Sequence, residues 1–327
     1  MSDFPGPPDD PSDAEAVFTE SKTFKECFRA FDRGDDETAV LKLKELAGSG
    51  YAKAQHHLAF MYREGRGTEQ NDELAFDWYK LAAEQGHVKA QVVLGYLYES
   101  GKGVARNFEN AAHWYGKAEE EGDPHAAASL GGMYWSGRGV TQDHKEAVRF
   151  MRMAADLGVP DAQIDLGNAY VQGLGVGKDI EEALWYYREA AELGHRDAQF
   201  ALGTLYLLGK DVEKDISSAI DWYYGAAEQG HLDALGTLGR LYFEGKDVER
   251  DIPKTHILFL TARMLGSEDA DLFVEELEKE LPKCVVRENR LLVYHWLNRN
   301  FQLLVPGEAG LWGTQEFILW GRANVKI

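Results

Sequence analysis

Three glycines at alternate positions, Gly173, Gly175 and Gly177, look like a fragment of a dinucleotide-binding loop. Three histidines, His87, His195 and His231, share one register, as a ladder of metal ligands would. A phosphate-cradling loop needs a strand before it and a helix N-terminus after it, so that backbone N–H groups meet the anion. No strand pattern precedes Gly173. Packed helices lie about 8 to 10 Å apart, whereas zinc ligands each need a bond of roughly 2 Å to one ion. A cap or turn role is therefore expected for the three histidines. His56, His57 and His144 belong to no HExxH pattern, and Cys27 and Cys284 have no CxxC partner. The serines sit in no GxSxG elbow, and no carboxylate pair stands out from the general acidity. No catalytic residue, metal or cofactor is expected.

These residues recur because the chain does. From Ala54, steps of 36 reach Ala90, Ala126, Ala162, Ala198 and Ala234 without insertion or deletion across six units. Leu58 returns as Leu94, Leu130, Leu166, Leu202 and Leu238, each followed by alanine or glycine. Tyr62 returns as Tyr98, Tyr134, Tyr170, Tyr206 and Tyr242, and each unit closes on a glycine from Gly86 to Gly266. Ala54, Leu58, Ala59 and Tyr62 form an apolar stripe on a first helix, A. The small residue after each leucine allows a neighbouring helix to approach closely. Ala75, Trp78, Tyr79, Ala82 and Ala83 form a second stripe, on helix B. Gly65-Arg66-Gly67 and its equivalents end helix A through the positive φ open to glycine. Asn71, Asn107, Asp143, Asp179, Asp215 and Asp251 stand where N-caps of helix B belong. Asp143 with Glu146, and Asp179 with Glu182, have the spacing of a capping box. Two such helices cannot bury both faces alone, so the units are expected to stack into an all-α solenoid.

The pattern Ala-x3-Leu-Gly-x2-Tyr, then Gly-x-Gly-Val-x2-Asp, then Ala-x2-Trp-Tyr-x2-Ala-Ala-x2-Gly resembles the Sel-one-like repeat family, a relative of the tetratricopeptide repeats. The resemblance covers Tyr51 to Gly266, 216 of 327 residues. It implies a right-handed α/α superhelical solenoid of six 36-residue helix-turn-helix repeats, with adaptor and scaffold roles. Some members carry a cysteine pair in each repeat and are linked to β-lactam binding or hydrolysis; this chain lacks those cysteines. Asp211 and Asp247 replace the second loop glycine, Phe150 and Met151 replace one Trp-Tyr pair, and Thr255, Leu258 and Phe259 suggest a sixth unit decaying toward a cap.

Four segments follow. Residues 1–20 read as a disordered acidic, proline-rich tail without the pattern of a signal peptide. Residues 21–50 read as an N-terminal capping helix pair, on the stripe Phe24, Phe28 and Phe31 and the phase of Ala39, Leu43 and Ala47. Residues 51–266 are the six repeats. Residues 267–327 hold a capping helix marked by Phe273, Val274, Leu277 and Leu281, then an aromatic-rich stretch with Trp296, Phe301, Trp312, Phe317 and Trp320 and no clear periodicity.

The formal charge of -20 argues against nucleic acid as a partner. No apolar run approaches the roughly 18 residues of a spanning helix, and two cysteines allow no disulfide framework. A cytoplasmic protein, monomeric when unbound, is expected. Positions that repeat are dictated by packing, so recognition is sought at positions that vary. By resemblance to tetratricopeptide solenoids, the helix A register of Lys53, His56, Phe60 and Arg63 lines a concave groove. Its large members in successive units, Phe60, Arg63, Tyr96, Trp135, Phe200, Arg240 and Phe243, are the candidate partner contacts, since aromatics and arginine dominate interface hot spots. Packing against the next helix A is an equal alternative for any one of them. The reading is a non-enzymatic protein-interaction scaffold or adaptor holding a peptide or partner domain. An inhibitor or immunity protein steered to a basic toxin or effector is the alternative, with a hydrolase behind both.

Overall fold

A computed structural model describes residues 22–301, apart from Phe28 and the side chain of Phe301. The expectations for residues 1–20, Phe28, Trp312, Phe317 and Trp320 fall outside the described residues. All regular structure in the described residues is helical. Residues 22–27 and 29–32 form α1, followed by α2 (Asp36–Gly48), α3 (Ala52–Glu64), α4 (Asp72–Glu84), α5 (Val88–Ser100), α6 (Phe108–Glu120), α7 (Pro124–Ser136), α8 (His144–Asp156) and α9 (Pro160–Gln172). Then come α10 (Ile180–Glu192), α11 (Arg196–Leu208), α12 (Ile216–Glu228), α13 (Leu232–Glu244), α14 (Ile252–Met264), α15 (Ala270–Glu280) and α16 (Lys283–Phe301). Contacts divide the chain into two units, Met1–Lys178 and Asp179–Ile327, with the division in the loop of the fourth repeat.

In the first unit each A helix packs on the B helix that follows it, α3 on α4, α5 on α6 and α7 on α8, and each B helix packs on the next A helix. The repeated leucines Leu58, Leu94, Leu130 and Leu166 are buried between them. Gly95 and Gly131 give the reason for the small residue after leucine: a Cβ there would stand 2.7 Å from the Tyr115 ring and 2.9 Å from Met151. The second loop glycine serves a different approach. A Cβ on Gly103 would lie 2.1 Å from the carbonyl oxygen of Asp72, at the start of the preceding B helix. The expected N-caps form: the Asn71 and Asn107 side chains accept from the backbone N–H of Leu74 and Asn110, and Asp143 accepts from Lys145 and Glu146. The reciprocal half of the capping box does not form at Asp143, because its N–H donates to the Tyr134 carbonyl at 3.0 Å and Glu146 pairs with Arg149.

A glutamine arm, overlooked in the sequence pattern, ties successive units together. The Nε2 groups of Gln55, Gln91 and Gln163 donate to the carbonyls of Ala47, Ala83 and Ala155, eight residues earlier on the preceding B helix. The Gln55 oxygen in turn accepts from Gln85 Nε2 at 2.7 Å. At the position equivalent to Gln85 the next repeat has Glu121, which offers no amide donor, and the buried Gln91 Oε1 has no hydrogen-bond partner among the described residues.

The second unit repeats the scheme from α10 to α14, with Gln199 donating to the Ala191 carbonyl and accepting from Gln229. Asp247 now stands in place of the loop glycine and pairs with Lys214 at 2.6 Å. The sixth repeat, whose helix B departs from the repeat pattern, runs into a C-terminal cap. Its helix α14 is buried at every position from Lys254 to Ala262, because α13, α15 and α16 all pack on it. Ile257, Leu258, Phe259 and Leu260 supply apolar surface around the helix, and the buried Thr255, His256 and Thr261 are hydrogen-bonded. Val274 and Leu277 of α15 seal one side, where Phe273 stacks on Phe259 at 4.6 Å. Residues 284–301, unassigned from sequence, belong to α16, which inserts Val293, Trp296 and Leu297 into the same core. Buried His256 meets Asn289 at 3.0 Å and Glu278 at 3.3 Å, and Arg290 forks onto the same glutamate.

Two substitutions test this packing. Gly203→Ala places a methyl 2.8 Å from the Tyr223 ring and is expected to lower stability by about 1–3 kcal/mol through overpacking. Glu121→Gln supplies the missing amide donor to Gln91 and is expected to raise stability by about 0.5–1.5 kcal/mol. Denaturant midpoints read both, and a glycine variant as stable as the parent would refute the close approach.

Candidate binding face

The exposed side of the A helices carries the positions that differ between units. Four candidates belong to the first unit. Phe60 is half-buried on α3, with the Arg63 guanidinium 5.4 Å from its ring centroid. Arg63 also pairs with Glu64 at 2.8 Å, and its electrostatic neighbours include Tyr79 and Tyr96. Tyr96 on α5 is the most open aromatic of the set, 44% exposed, with Lys102 5.8 Å from its ring. Trp135 on α7 is half-buried against His144, ring centroids 4.6 Å apart. The structure thus gathers Phe60, Arg63 and Tyr96, and gives Trp135 a packing partner at the start of α8.

Three candidates belong to the second unit. Phe200 is half-buried, stacked on His231 at 4.6 Å and tilted on Tyr223 at 5.5 Å, which is the packing alternative realised. Arg240 is exposed and donates to Thr237 Oγ1 at 3.2 Å. Phe243 is 39% exposed, with Arg250 stacked near its ring at 5.5 Å.

Of the three histidines expected as caps, His87 and His231 act as side-chain caps and His195, at the equivalent N-cap position, makes no side-chain cap bond. Nδ1 of His87 accepts from the Ala90 N–H, and Nδ1 of His231 from that of Ala234, so both cap the A helix that follows. His56 stacks on His87 at 4.8 Å in the first unit as Phe200 stacks on His231 in the second, the two pairs being equivalent by repeat. Burial holds His56 neutral, lowering its pKa to about 3, with His87, His57, Lys89 and Arg63 adding to the effect. His57 and His87 are lowered as well, again first by burial. Burial raises the Cys27 thiol, which makes it a poor nucleophile at neutral pH. Among the described residues no group of three His, Cys, Asp or Glu side chains stands together as a metal-binding set. Gly173 and Gly175 are accounted for by helix termination and by close approach to the His144 carbonyl.

Asp165, absent from the candidates, is the unusual carboxylate of this face. Its pKa rises to about 6, first because protein displaces water around it and second because Asp161 lies one turn earlier. The residue keeps an exposed surface, so solvent screens part of that cost. Its signal in the sequence is a second aspartate four residues after Asp161, a like-charge i, i+4 pair.

The family described as Sel1 repeat matches residues 52–87, 88–123, 124–159, 160–195, 196–231 and 234–267. Among solved structures, a Sel1 repeat protein from Oxalobacter formigenes is 32% identical, covers 73% of this chain and 96% of its own, and superposes with a TM-score of 0.68. The immunity protein Pa5087 from Pseudomonas aeruginosa is 27% identical over 70% of this chain and 81% of its own, with a TM-score of 0.42. The protective antigen c5321 of uropathogenic Escherichia coli is 25% identical over 92% and 90%, with a TM-score of 0.36. The last two superpose too loosely to bear on this chain's function. No curated protein matches significantly.

Two pH dependences follow from the titrating groups. A folded His56 near pKa 3 binds fewer protons than the unfolded chain between about 3 and 6.5, so stability must fall as pH drops through that window. His56→Phe, which reproduces the stack at Phe200, is expected to flatten the fall in melting midpoint between pH 7 and pH 5. The sign reverses for Asp165, whose folded pKa exceeds its unfolded value of 3.8. Its ionisation weakens the fold at neutral pH, and Asp165→Asn should raise the midpoint at pH 7.5 with little change near pH 3.5. An Asn variant that melts alike at both pH values removes the argument.

Proposed function

The chain belongs to the Sel1 repeat family, and on that premise we propose that it is a scaffold or adaptor that holds a segment or domain of a protein partner against the exposed face of its A helices. Sel1 repeats mediate protein–protein interaction, and the family is one of non-catalytic repeat scaffolds. The observation that carries the reading is a contrast between the registers of the A helices. The repeated leucines and alanines of the A helices are buried, whereas Tyr96, Arg240 and Phe243, at positions that vary between units, stay exposed. Aromatic and arginine side chains left open on a rigid helical face are suited to become buried anchors in a complex. Phe60, Arg63, Trp135 and Phe200 extend that surface with half-buried rings and charge.

The charge of -20 favours one refinement: long-range attraction accelerates encounter with a basic protein. An inhibitor or immunity protein acting on a basic toxin or effector fits that charge, and an adaptor serving several proteins is the other form of the same scaffold. No catalytic role is proposed: burial lowers the pKa of the histidines of this face, which makes them weak bases, and raises that of the buried thiol. A cytoplasmic monomer is proposed for the unbound state. Both cysteines are free, and among the described residues no helix is long and apolar enough to cross a membrane.

Purification from native cells supplies the partner for a kinetic test. One stoichiometric basic protein favours the inhibitor, and several unrelated proteins favour the adaptor. With either partner, added salt is expected to slow association far more than it speeds dissociation, since exposed charges are screened beyond about 8 Å at physiological ionic strength. Tyr96→Ala or Phe243→Ala is expected to speed dissociation, with a loss of about 2 kcal/mol at a true hot spot. Kinetics indifferent to every candidate side chain would overturn the assignment of the face.

A further inference from the structure

A cavity of about 290 Å³ opens between α1, α2 and α3 in the first unit. Its apolar wall is built by Phe31, Leu43, Phe60 and Met61, with the Cys27 thiol among them, and its polar side consists of His56 and His57. That volume lies at the lower end of ligand pockets and suits a single bulky side chain. The two imidazoles are held neutral and belong to the ring cluster His57–His56–His87, with centroid separations of 5.3 Å and 4.8 Å. They add no fixed charge to the wall.

Charges of both signs border this cavity: Glu26, paired with Lys42, and Glu45 act on Cys27 on the α1–α2 side, whereas the side facing α5 is basic. Lys53 on α3 and Lys89 on α5 are exposed, and among the described residues neither has an ion-pair partner. Both lie close enough to act on His87, and Lys89 also acts on His56 and His57, which places them on the cavity side of the face. Arg63 adds a third cation, against Phe60. In a protein with 55 acidic and 35 basic residues, two unpaired lysines beside an apolar cavity are a local reversal of sign. The same register changes sign along the unit: Lys53 on α3, Lys89 on α5, His125 on α7 and Asp161 on α9, with Asp165 one turn beyond.

We propose that this cavity and its lysines are the anchor site of the first unit, taking a bulky apolar side chain flanked by carboxylates, from a partner segment whose basic residues run toward Asp161. The inference rests on the scaffold reading above and adds the chemistry and direction of the segment. Charge complementarity argues for this occupant. Carboxylates meet the unpaired lysines, the apolar side chain enters a space that water fills poorly, and a reversed segment would set like charges together at both ends. A partner that is basic overall satisfies the long-range attraction while presenting this acidic-apolar anchor.

The test pans a phage-displayed library of random dodecapeptides against the full chain at low salt, then measures the selected peptides by fluorescence anisotropy. The expected sequences place Asp or Glu beside Phe, Leu, Met or Trp near one end and Lys or Arg toward the other. Their binding should weaken tenfold or more in Lys53→Glu/Lys89→Glu and in His57→Trp, which narrows the cavity, and change less than twofold in Asp233→Lys. The lysine variant leaves the core untouched, so it decides the matter if the tryptophan variant misfolds by circular dichroism. Enriched peptides without an acidic-apolar pair, or binding unmoved by the lysine variant, overturn the proposal, as does the absence of any enriched peptide. Peptides that respond to Tyr96→Ala but to neither cavity variant overturn the anchor site while leaving the scaffold reading intact. Binding that appears only in Phe4→Ser/Phe18→Ser assigns the cavity to the chain's own amino-terminal segment and rejects the external partner.

Discussion

A side chain pressed against a helix backbone is the contact on which the array depends. At Gly95, Gly131, Gly203 and Gly239 a Cβ would stand 2.7 to 2.9 Å from Tyr115, Met151, Tyr223 or Phe259 of the following B helix. No real side chain fits at that distance, so the A helix must present a bare backbone there. The approach lets the neighbouring leucine lose its contact with water, a burial worth roughly 1.5–3 kcal/mol per side chain. The B-helix partner tolerates tyrosine, methionine or phenylalanine because the restriction lies on the A side.

In four of the six repeats a glutamine arm adds a bond to the join, reaching a carbonyl at the end of the preceding B helix; Ala127 and Leu235 stand at that position in the third and sixth, where packing alone makes the join. The loop glycines set the start of the same helix against the following unit, and where aspartate replaces glycine at Asp247 an ion pair with Lys214 holds the loop instead. Within each of the two units, successive helix pairs are thereby fixed to one another by local contacts. That leaves some outward positions of the A helices, Tyr96, Arg240 and Phe243 among them, exposed and able to diverge, while others such as Phe200 are drawn into packing.

Divergence of that kind makes net charge a poor guide to any one place on the surface. The total of -20 governs what the protein attracts from a distance. Contact is governed by the few charges within a Debye length, and on the α5 side of the α1–α3 cavity the unpaired ones among the described residues are Lys53 and Lys89. Asp165 stands at the other extreme, a carboxylate whose pKa is raised first by loss of surrounding water and second by Asp161. Groups held in unfavourable electrostatic surroundings are more common at functional surfaces than elsewhere.

The amino-acid sequence by itself determined the period, the helix pairs, their caps and the small residue after each leucine. Those features are written within about 36 residues and repeated six times, so repetition separates signal from accident. The sequence also reached the register that faces away from the core, from which Tyr96, Arg240 and Phe243 emerge exposed. Tertiary structure alone decided which of the seven candidates stay open and which, like Phe200 on His231, serve packing, because that depends on a ring 31 positions away. It also decided that α14 is enclosed. The signal was present in Asn289, Val293, Trp296 and Leu297, spaced for one helix face, but a face acquires meaning only when the helix it covers is known. The α1–α3 cavity is the extreme case: its wall joins residues from Cys27 to Met61 on three helices, and no periodicity records a space that side chains leave unfilled.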